Sequence, residues 1–239
     1  MRPALRSVES TRAGEALAVD YGGERVLLDP AGIAFFPAAS MLVVADLHLE
    51  KGSSFARRRM FLPPYDTPAT LARLAALIAK YEPRCVVSLG DGFHDDAACE
   101  RLSPETVAAI EALAAGRTMI WVTGNHDPSP PVNVPGDSVD TLATGQVTFR
   151  HIAERGCATC EVSGHYHPAA ILRGRGKAVR RSCFASDGVR LILPAFGVYA
   201  GGLNVRDRAF DGLFDLGAFR AYMQGTDRLF PIGWRDLIG

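Results

Sequence analysis

The sequence has no run of about 18 apolar residues, the length that a membrane-spanning helix needs. Its opening segment, MRPALRSVES, also lacks the apolar core of a signal peptide. We therefore expect a cytoplasmic protein with no membrane partner. There is no excess charge of either sign, because 26 Lys and Arg balance 26 Asp and Glu. This balance excludes a uniformly basic nucleic-acid-binding protein, although it leaves room for a local basic surface.

Cysteine is scarce, and the five cysteines are scattered along the chain. Cys157 and Cys160 form one Cys-x-x-Cys pair, but there is no second such pair with which to complete a zinc site. We expect free thiols in a reducing compartment. Lysine is rarer still, since Lys51, Lys80 and Lys177 are the only three, so arginine carries most of the positive charge.

The apolar pattern predicts an α/β fold. Residues 16–29 read as a β-hairpin. A buried strand that ends at Asp46 and further buried strands at 84–91 and 118–127 alternate with helices at 66–81 and 103–115. This order indicates parallel β-α-β units. After a proline-rich loop at 128–137, short strands dominate, with one helix expected near 213–223. We expect residues 1–239 to form a single domain in which two sheets face each other.

Polar residues follow one strand after another. "MLVVA" leads to Asp46 and His48, and "CVVSL" leads to Asp91. The later strand ends supply further polar side chains: Asn125, His126, Asp127, His151, His165 and His167. Open α/β sheets bind ligands outside their strand carboxyl ends, so these side chains should converge. Alternation along a strand should project residues i and i+2 together, and the glycines before Asp91, Asn125 and His165 should permit tight turns.

The convergent side chains are typical metal ligands. Carboxylates, imidazoles and one amide oxygen suit Mn, Fe, Zn or Co, and the set is large enough for two divalent ions, with Asp91 able to bridge them. Two such ions would activate a water molecule and clamp the oxygens of a phosphoryl transfer. Each motif alone is weak, since a single Asp-x-His or His-x-His is more often a loop or a core histidine. Five of the six histidines lie at these strand ends, and His94 lies three residues beyond Asp91.

The ordered series DxH, GD, GNHD, H and GHxH resembles the calcineurin-like metallophosphoesterase superfamily. The resemblance implies a four-layer α/β/β/α sandwich. It also implies that Asp46, His48, Asp91 and His167 hold one metal ion, and that Asp91, Asn125, His151 and His165 hold the other. His126 would be the catalytic acid or electrostatic stabiliser near the leaving group, and Asp127 would orient it.

Four longer segments carry a closer resemblance: "ADLHLEKGSSFARRR", "LGDGFHD", "VSGHYHP" and "LPAFGVYAGGLNV". They are similar to the bacterial ligase-associated DNA damage response endonucleases. That resemblance implies a manganese-dependent phosphodiesterase that processes DNA ends, with a DNA ligase and a helicase as partners.

Two basic clusters accompany the motifs. Lys51, Arg57, Arg58 and Arg59 follow the first motif, and the second cluster follows the last: Arg173, Arg175, Lys177, Arg180 and Arg181. If the motifs converge, both clusters flank the metal cleft, where they either contact phosphates or are simply solvated arginines. On the first interpretation we expect Lys51, Arg57 and Arg58 to bind substrate, together with His94.

Three hypotheses stay open. The protein could be a DNA phosphodiesterase or nuclease, a phosphatase or small-molecule phosphodiesterase, or a metal-stabilised scaffold without catalysis. The intact ligand set and His126 argue against the scaffold.

Overall fold

A computed structural model describes residues 15–60, 62–129, 131–156, 159–174 and 176–239. Two residues named above, Cys157 and Arg175, lie outside the described residues. The described part consists of two β-sheets, three α-helices and short 3-10 turns. No helix among these residues is long and apolar enough to cross a bilayer.

The first sheet has seven strands in the order of the chain. They are β1 (Leu17–Tyr21), β2 (Glu24–Leu28), β3 (Ala34–Phe36), β4 (Met41–Val44), β5 (Cys85–Leu89), β6 (Thr118–Val122) and β7 (Asp137–Val139). The first four strands are antiparallel, beginning with the expected hairpin, while β4 to β7 run parallel.

The second sheet has nine strands. They are β8 (Thr141–Thr144), β9 (Val147–Arg150), β10 (Cys160–Ser163), β11 (Pro168–Arg173), β12 (Ala178–Ser186), β13 (Arg190–Ile192), β14 (Leu203–Asn204), β15 (Arg220–Gln224) and β16 (Leu229–Gly233). The strands β9, β10 and β13 are parallel neighbours, and β12 runs antiparallel to β13.

Three helices belong to the first half of the chain: α1 (Lys51–Arg57), α2 (Asp66–Tyr81) and α3 (Pro104–Ala114). The α3 helix begins as the sequence predicts, because the Ser103 hydroxyl accepts the Thr106 amide and Pro104 occupies the first turn. Strand alternation sorts the core around these helices. Leu42 and Val86 face α2 and α3, whereas Val43 and Val87 face the second sheet.

A third apolar cluster covers the outer face of the second sheet. Cys183, Phe210 and Phe219 belong to it, and its covering layer is a 3-10 turn (Arg208–Phe210) followed by irregular chain. The layered α/β architecture is thus confirmed. The helix expected at 213–223 is wrong, however, because residues 220–224 form β15 against β12. Their apolar side chains complete a sheet, which outweighs the helical spacing.

Helix boundaries show two further differences. The sequence predicts Asp66 or Thr67 as the cap of α2, but the cap position is Tyr65, and the Asp66 carboxylate instead accepts the Gly52 amide at 2.8 Å. That bond secures the start of α1, a seven-residue helix that the sequence pattern did not indicate. It is too short for a periodic apolar stripe.

Candidate metal centre

The polar residues after five strands meet at one edge of the sandwich. The parallel strands β4, β5 and β6 of one sheet and β9 and β10 of the other all end there. Backbone pairing continues beyond the strands, since the His48 amide donates to the Asp91 carbonyl at 2.9 Å and the Leu49 amide to the Gly92 carbonyl at 2.9 Å. The loops that carry the side chains are therefore fixed by backbone hydrogen bonds.

Strand alternation does not produce the pairs Asp46/His48 and His165/His167. The preceding strands stop at Val44 and Ser163, and all four side chains lie in the loops beyond them. Together with Asp91, these residues adopt positive φ, between 44° and 69°. Each non-glycine residue in this region costs on the order of 1–3 kcal/mol, and such strain concentrates at functional sites. The expected convergence is present, but its local cause is left-handed backbone.

Three glycines make room for the loops to approach each other. A Cβ at Gly124 would lie 2.2 Å from the Asp91 amide nitrogen, and one at Gly164 would lie 2.6 Å from Asp46 Oδ2. At Gly90, φ is +70° and a Cβ would lie 2.5 Å from the His151 ring. The sequence analysis assigned all three to tight turns, but only Gly90 has positive φ among them. Close approach explains the other two.

A first group of possible metal ligands contains Asp46, His48 and His167, whose ligand atoms all lie within 4.8 Å of one another. His167 Nε2 is 3.3 Å from His48 Nε2 and 3.3 Å from Asp46 Oδ1. Asp91 Oδ2 lies 3.9 Å from His48 Nε2. The Asp46 carboxylate is fully buried, and both of its oxygens accept the His165 amide.

A second group contains Asp91, His151 and His165. His151 Nε2 is 3.3 Å from Asp91 Oδ1, 3.2 Å from His165 Nδ1 and 3.0 Å from the amide oxygen of Asn125. Asp91 therefore lies between the two groups and turns one carboxylate oxygen toward each.

The donor atoms of the second group fit a cation. His151 Nδ1 lies 2.9 Å from the Leu89 carbonyl oxygen, which can only accept, so this nitrogen carries the ring proton. Burial acts to lower the pKa of His151, but the hydrogen bond to the Asp91 carboxylate raises it, so the ring can hold a second proton on Nε2 toward the Asp91 oxygen. When a cation replaces that proton, Nε2 becomes an electron-pair donor beside the Asp91 and Asn125 oxygens. A positive ion bonded to all of them satisfies this arrangement, and carboxylate, imidazole and amide donors suit Mn or Zn.

Burial and neighbouring charges set the ionisation of these groups. Burial lowers the pKa of His48 to about 3, although Asp91 acts to raise it. Burial acts to raise the pKa of Asp91, but the hydrogen bond and charge of His151 outweigh this effect and hold it below its usual range. His48 is therefore neutral and Asp91 ionised at pH 7, the forms in which both groups bind metals.

His126 borders the first group and stays accessible. Its side chain is 42 % exposed, and its Nε2 lies 4.0 Å from Asp91 Oδ2. Its Nδ1 lies 3.0 Å from the His94 carbonyl oxygen, which can only accept, so Nδ1 carries the ring proton and donates it in a hydrogen bond. This hydrogen bond sets the orientation of the imidazole. Nε2 is left free to face a ligand.

The expected role of Asp127 in orienting His126 stays a prediction. What the structure shows for Asp127 is a backbone contact. Its buried carboxylate accepts the Phe93 amide at 2.9 Å, and burial raises its pKa to about 6. Asp127 thus holds the turn from which the His94 carbonyl reaches His126. The sequence could not reveal this indirect path, because a backbone carbonyl carries no residue signature.

The four residues expected to bind substrate differ in burial and in their position relative to the site. His94 is buried, with Nδ1 3.5 Å from His48 Nδ1 and its ring stacked on His126. Lys51 is half-buried and donates to the Tyr199 carbonyl at 3.1 Å, and its charge acts to lower the pKa of His94. Arg57 and Arg58 are exposed at the end of α1. The structure thus brings His94 into the site and leaves the two arginines at its margin.

One loop beside the site belongs to the segment LPAFGVYAGGLNV, which carried a resemblance but was given no place at the site. Residues 194–203 cross the backbone of the first motif, since the Gly197 amide donates to the Asp46 carbonyl at 3.1 Å and a Cβ at Gly197 would lie 2.4 Å from the Leu47 carbonyl oxygen. Its glycine-rich sequence directly after a buried strand was an available signal.

The chain is similar to known proteins. Residues 39–193 match the family described as "Calcineurin-like phosphoesterase". Among solved structures, the chain resembles the nuclease MPE of Pseudomonas putida with a TM-score of 0.70 and 27 % sequence identity, over 90 % of this chain and 98 % of that one. The phosphoesterase Yfce of E. coli gives a TM-score of 0.37 and 17 % identity over 83 % and 96 % of the two chains. No curated protein matches.

The close approach at Gly124 predicts the effect of adding one methyl group there. Gly124→Ala should reduce the divalent metal retained after reconstitution and lower the melting temperature, because the Asp91 backbone must move. Metal content and thermal unfolding measure both effects. The matched control is Gly233→Ala, whose Cβ meets its nearest neighbour at 3.8 Å. Wild-type metal content and stability in Gly124→Ala would contradict this account.

Proposed function

The chain belongs to the calcineurin-like phosphoesterase family, and from this premise we propose that it is a two-metal phosphodiesterase that cleaves nucleic acid, with DNA as its substrate. It is a metal-dependent phosphoesterase by family and by its nuclease neighbour. The observation that carries the two-metal proposal is the position of Asp91, whose two carboxylate oxygens face separate groups of acceptor atoms.

In this proposal the two groups hold two ions. Asp46, His48, Asp91 and His167 would bind one, and Asn125, His151 and His165 would join Asp91 at the other. When bound, the ions supply a hydroxide nucleophile and neutralise charge on the phosphoryl oxygens. Manganese is the expected metal, and Fe, Zn and Co suit the same donors.

His126 is the proposed acid for the leaving oxygen. His126 donates its Nδ1 proton to the His94 carbonyl in a hydrogen bond, so the proton for the departing group would come from Nε2 of the doubly protonated ring, which is left neutral after the transfer. Exposure of the ring places this atom where a substrate can reach it. A positioned acid of this kind contributes typically 10²–10⁴-fold to rate.

Support for a nucleic-acid substrate comes from the similarity to a Pseudomonas putida nuclease and from the cations at the end of α1. Lys51, Arg57 and Arg58 would contact phosphates on one side of the scissile bond without reading bases. Action at DNA ends in repair, beside a DNA ligase and a helicase, stays a prediction, as does the cytoplasmic location.

A side-by-side assay tests the proposed function. With Mn supplied, the protein should hydrolyse bis-p-nitrophenyl phosphate and cleave single- or double-stranded DNA more efficiently than it hydrolyses p-nitrophenyl phosphate. Hydrolysis of small esters with no cleavage of DNA would favour the small-molecule phosphodiesterase or phosphatase, and no hydrolysis of any substrate would favour the scaffold.

The shared position of Asp91 predicts that one substitution removes both ions. Asp91→Ala should retain far less than two metal ions per chain after Mn reconstitution, because each group loses a carboxylate oxygen. Elemental analysis of the desalted protein gives the stoichiometry. Asp20→Ala removes an exposed carboxylate on β1 and is the control. Two retained ions in the Asp91 variant would rule out the bridging assignment.

The proposed role of His126 as an acid predicts that its substitution lowers turnover without reducing metal binding. His126→Ala should keep its metal ions yet lose about 10²–10⁴-fold in kcat on an ester with a poor leaving group. The loss should be smaller on p-nitrophenyl esters, whose leaving group needs less protonation. Loss of metal in parallel with activity would instead make His126 a ligand.

Two substitutions of His94 can distinguish whether this residue positions the metal ligand His48 or contacts substrate. If His48 Nε2 binds metal, its Nδ1 carries the proton and donates to His94 Nδ1, and such supporting bonds are typically worth 10–100-fold in metal affinity. His94→Leu should therefore weaken Mn binding by about that factor, whereas His94→Asn, which places an acceptor near Nδ1, should largely retain it. Both variants keep the backbone carbonyl that orients His126.

Titration of Mn into the metal-free variants separates the two roles. Equal Mn affinity in His94→Leu and wild type, together with a raised KM for DNA in both variants, would show that His94 contacts substrate instead.

A further inference from the structure

The β11–β12 hairpin extends beyond the core at the edge where the candidate metal centre lies. The first five residues of β12 are exposed and its last four are buried. Since β12 runs antiparallel to β13, and β13 lies parallel to β10, the exposed end of β12 is on the side where β10 ends at Ser163. Among the described residues, the segment 178–182 pairs only with β11. We call the described residues 168–174 and 176–182 the arm.

The register of the arm shows which side chains share a face. Phe184 of β12 packs between the two sheets, whereas Cys183 packs in the outer cluster. Alternation carries this division outward, so Arg180 lies on the inner face with Phe184, and Arg181 lies on the outer face with Cys183. Arg173 pairs with Ala178, so it shares the inner face with Arg180. The inner face is the one that continues from the space between the sheets, where the metal centre opens.

The arm is exclusively cationic. Residues 168–182 contain no Asp or Glu, and Arg173, Lys177, Arg180 and Arg181 are all exposed. In a chain with zero net charge, this is a local concentration of positive charge beside a centre that acts on phosphate esters. Guanidinium groups bind phosphate oxygens in a bidentate manner, which suits a polyanionic partner.

A short loop connects the arm to the metal centre and to the cations of α1. The Arg180 guanidinium donates to the Gly202 carbonyl, and the next residue, Leu203, donates its amide to the His167 carbonyl at 2.9 Å. Three residues before Gly202, the Tyr199 carbonyl accepts from Lys51. The two basic clusters, far apart in sequence, thus lie at opposite ends of one segment, 199–202, and residues 194–205 contain no charged side chain.

From this geometry we infer that the arm binds the sugar–phosphate backbone of a nucleic-acid strand, so that the strand runs from the cations of α1, along the segment 199–202, to the inner face of the arm. This inference rests on the proposed function and adds to it a contact surface remote from the scissile phosphate. The enzyme would then hold several nucleotides on the arm side of the cut. The contacts would be independent of sequence, because they reach phosphates and not base edges.

A purely protective role is the competing explanation. Charged side chains on an unpaired strand edge discourage pairing with another chain, and the segment 178–182 is such an edge. Protection needs charge on the edge but does not depend on which face carries it. Phosphate binding from the cleft requires the inner face.

The experiment compares the two faces of the same strand. Arg173→Gln combined with Arg180→Gln removes both inner-face charges, and glutamine at 180 can still donate to the Gly202 carbonyl. Arg181→Gln removes one outer-face charge and is the matched control for Arg180→Gln alone. For each, kcat/KM on a single-stranded oligonucleotide is measured at several salt concentrations, with bis-p-nitrophenyl phosphate as the substrate too small to reach the arm.

The double variant should lower the slope of log kcat/KM against log salt by about 1.4 in magnitude, about 0.7 for each lost phosphate contact on a single strand. Its activity on bis-p-nitrophenyl phosphate should equal that of wild type, and Arg181→Gln should retain the wild-type slope. An unchanged slope in the double variant overturns the inference, as does an equal loss in Arg180→Gln and Arg181→Gln. Self-association of the double variant with an unchanged slope assigns the charges to edge protection.

If the proposed nuclease function itself is wrong, the experiment gives a result different from those that overturn only the arm inference. In that case wild-type protein hydrolyses p-nitrophenyl esters but does not cleave the oligonucleotide at any salt concentration.

Discussion

The structure depends on holding carboxylate and imidazole ligand atoms close together in a buried site, where a shared proton or a cation must offset their mutual repulsion. His151 Nε2 lies within 3.3 Å of an Asp91 oxygen, the Asn125 amide oxygen and His165 Nδ1, and the nitrogens of His48 and His167 are 3.3 Å apart. Five residues in left-handed backbone and glycines that admit no Cβ keep these atoms in place. The free energy for this arrangement comes from the surrounding core, and binding of cations would recover part of it.

The double-sheet architecture supplies what a single sheet could not. Strands β4, β5 and β6 bring Asp46, Asp91 and Asn125 from one side, and β9 and β10 bring His151 and His165 from the other. The apolar layer between the sheets fixes their separation and hence the distances within each ligand group, because each group takes side chains from both sheets. Asp91 lies between the two ligand groups, so its carboxylate faces side chains delivered by both sheets.

Much of this was readable from the sequence because it depends on strong local signals. Buried apolar runs end where polar residues begin, and Ser103 with Pro104 marks a helix start, so the strand order, α3 and the set of convergent residues were predictable. The left-handed backbone at Asp46 and His48, the contact of Asp127 with the Phe93 amide, and the strand in place of a helix at 220–224 were not. Each of these depends on partners that are distant in the chain, so no local pattern encodes them.

The orientation of His126 by a backbone carbonyl has a genetic consequence. No codon specifies a carbonyl oxygen, so replacement of the side chain at position 94 leaves that hydrogen-bond acceptor in place. The position of the carbonyl is instead sensitive to substitution of Asp127, because Asp127 fixes the turn through the Phe93 amide. Inherited loss of the imidazole's alignment should therefore arise at a residue that does not touch it, and substitutions at the neighbouring histidine should leave that alignment intact.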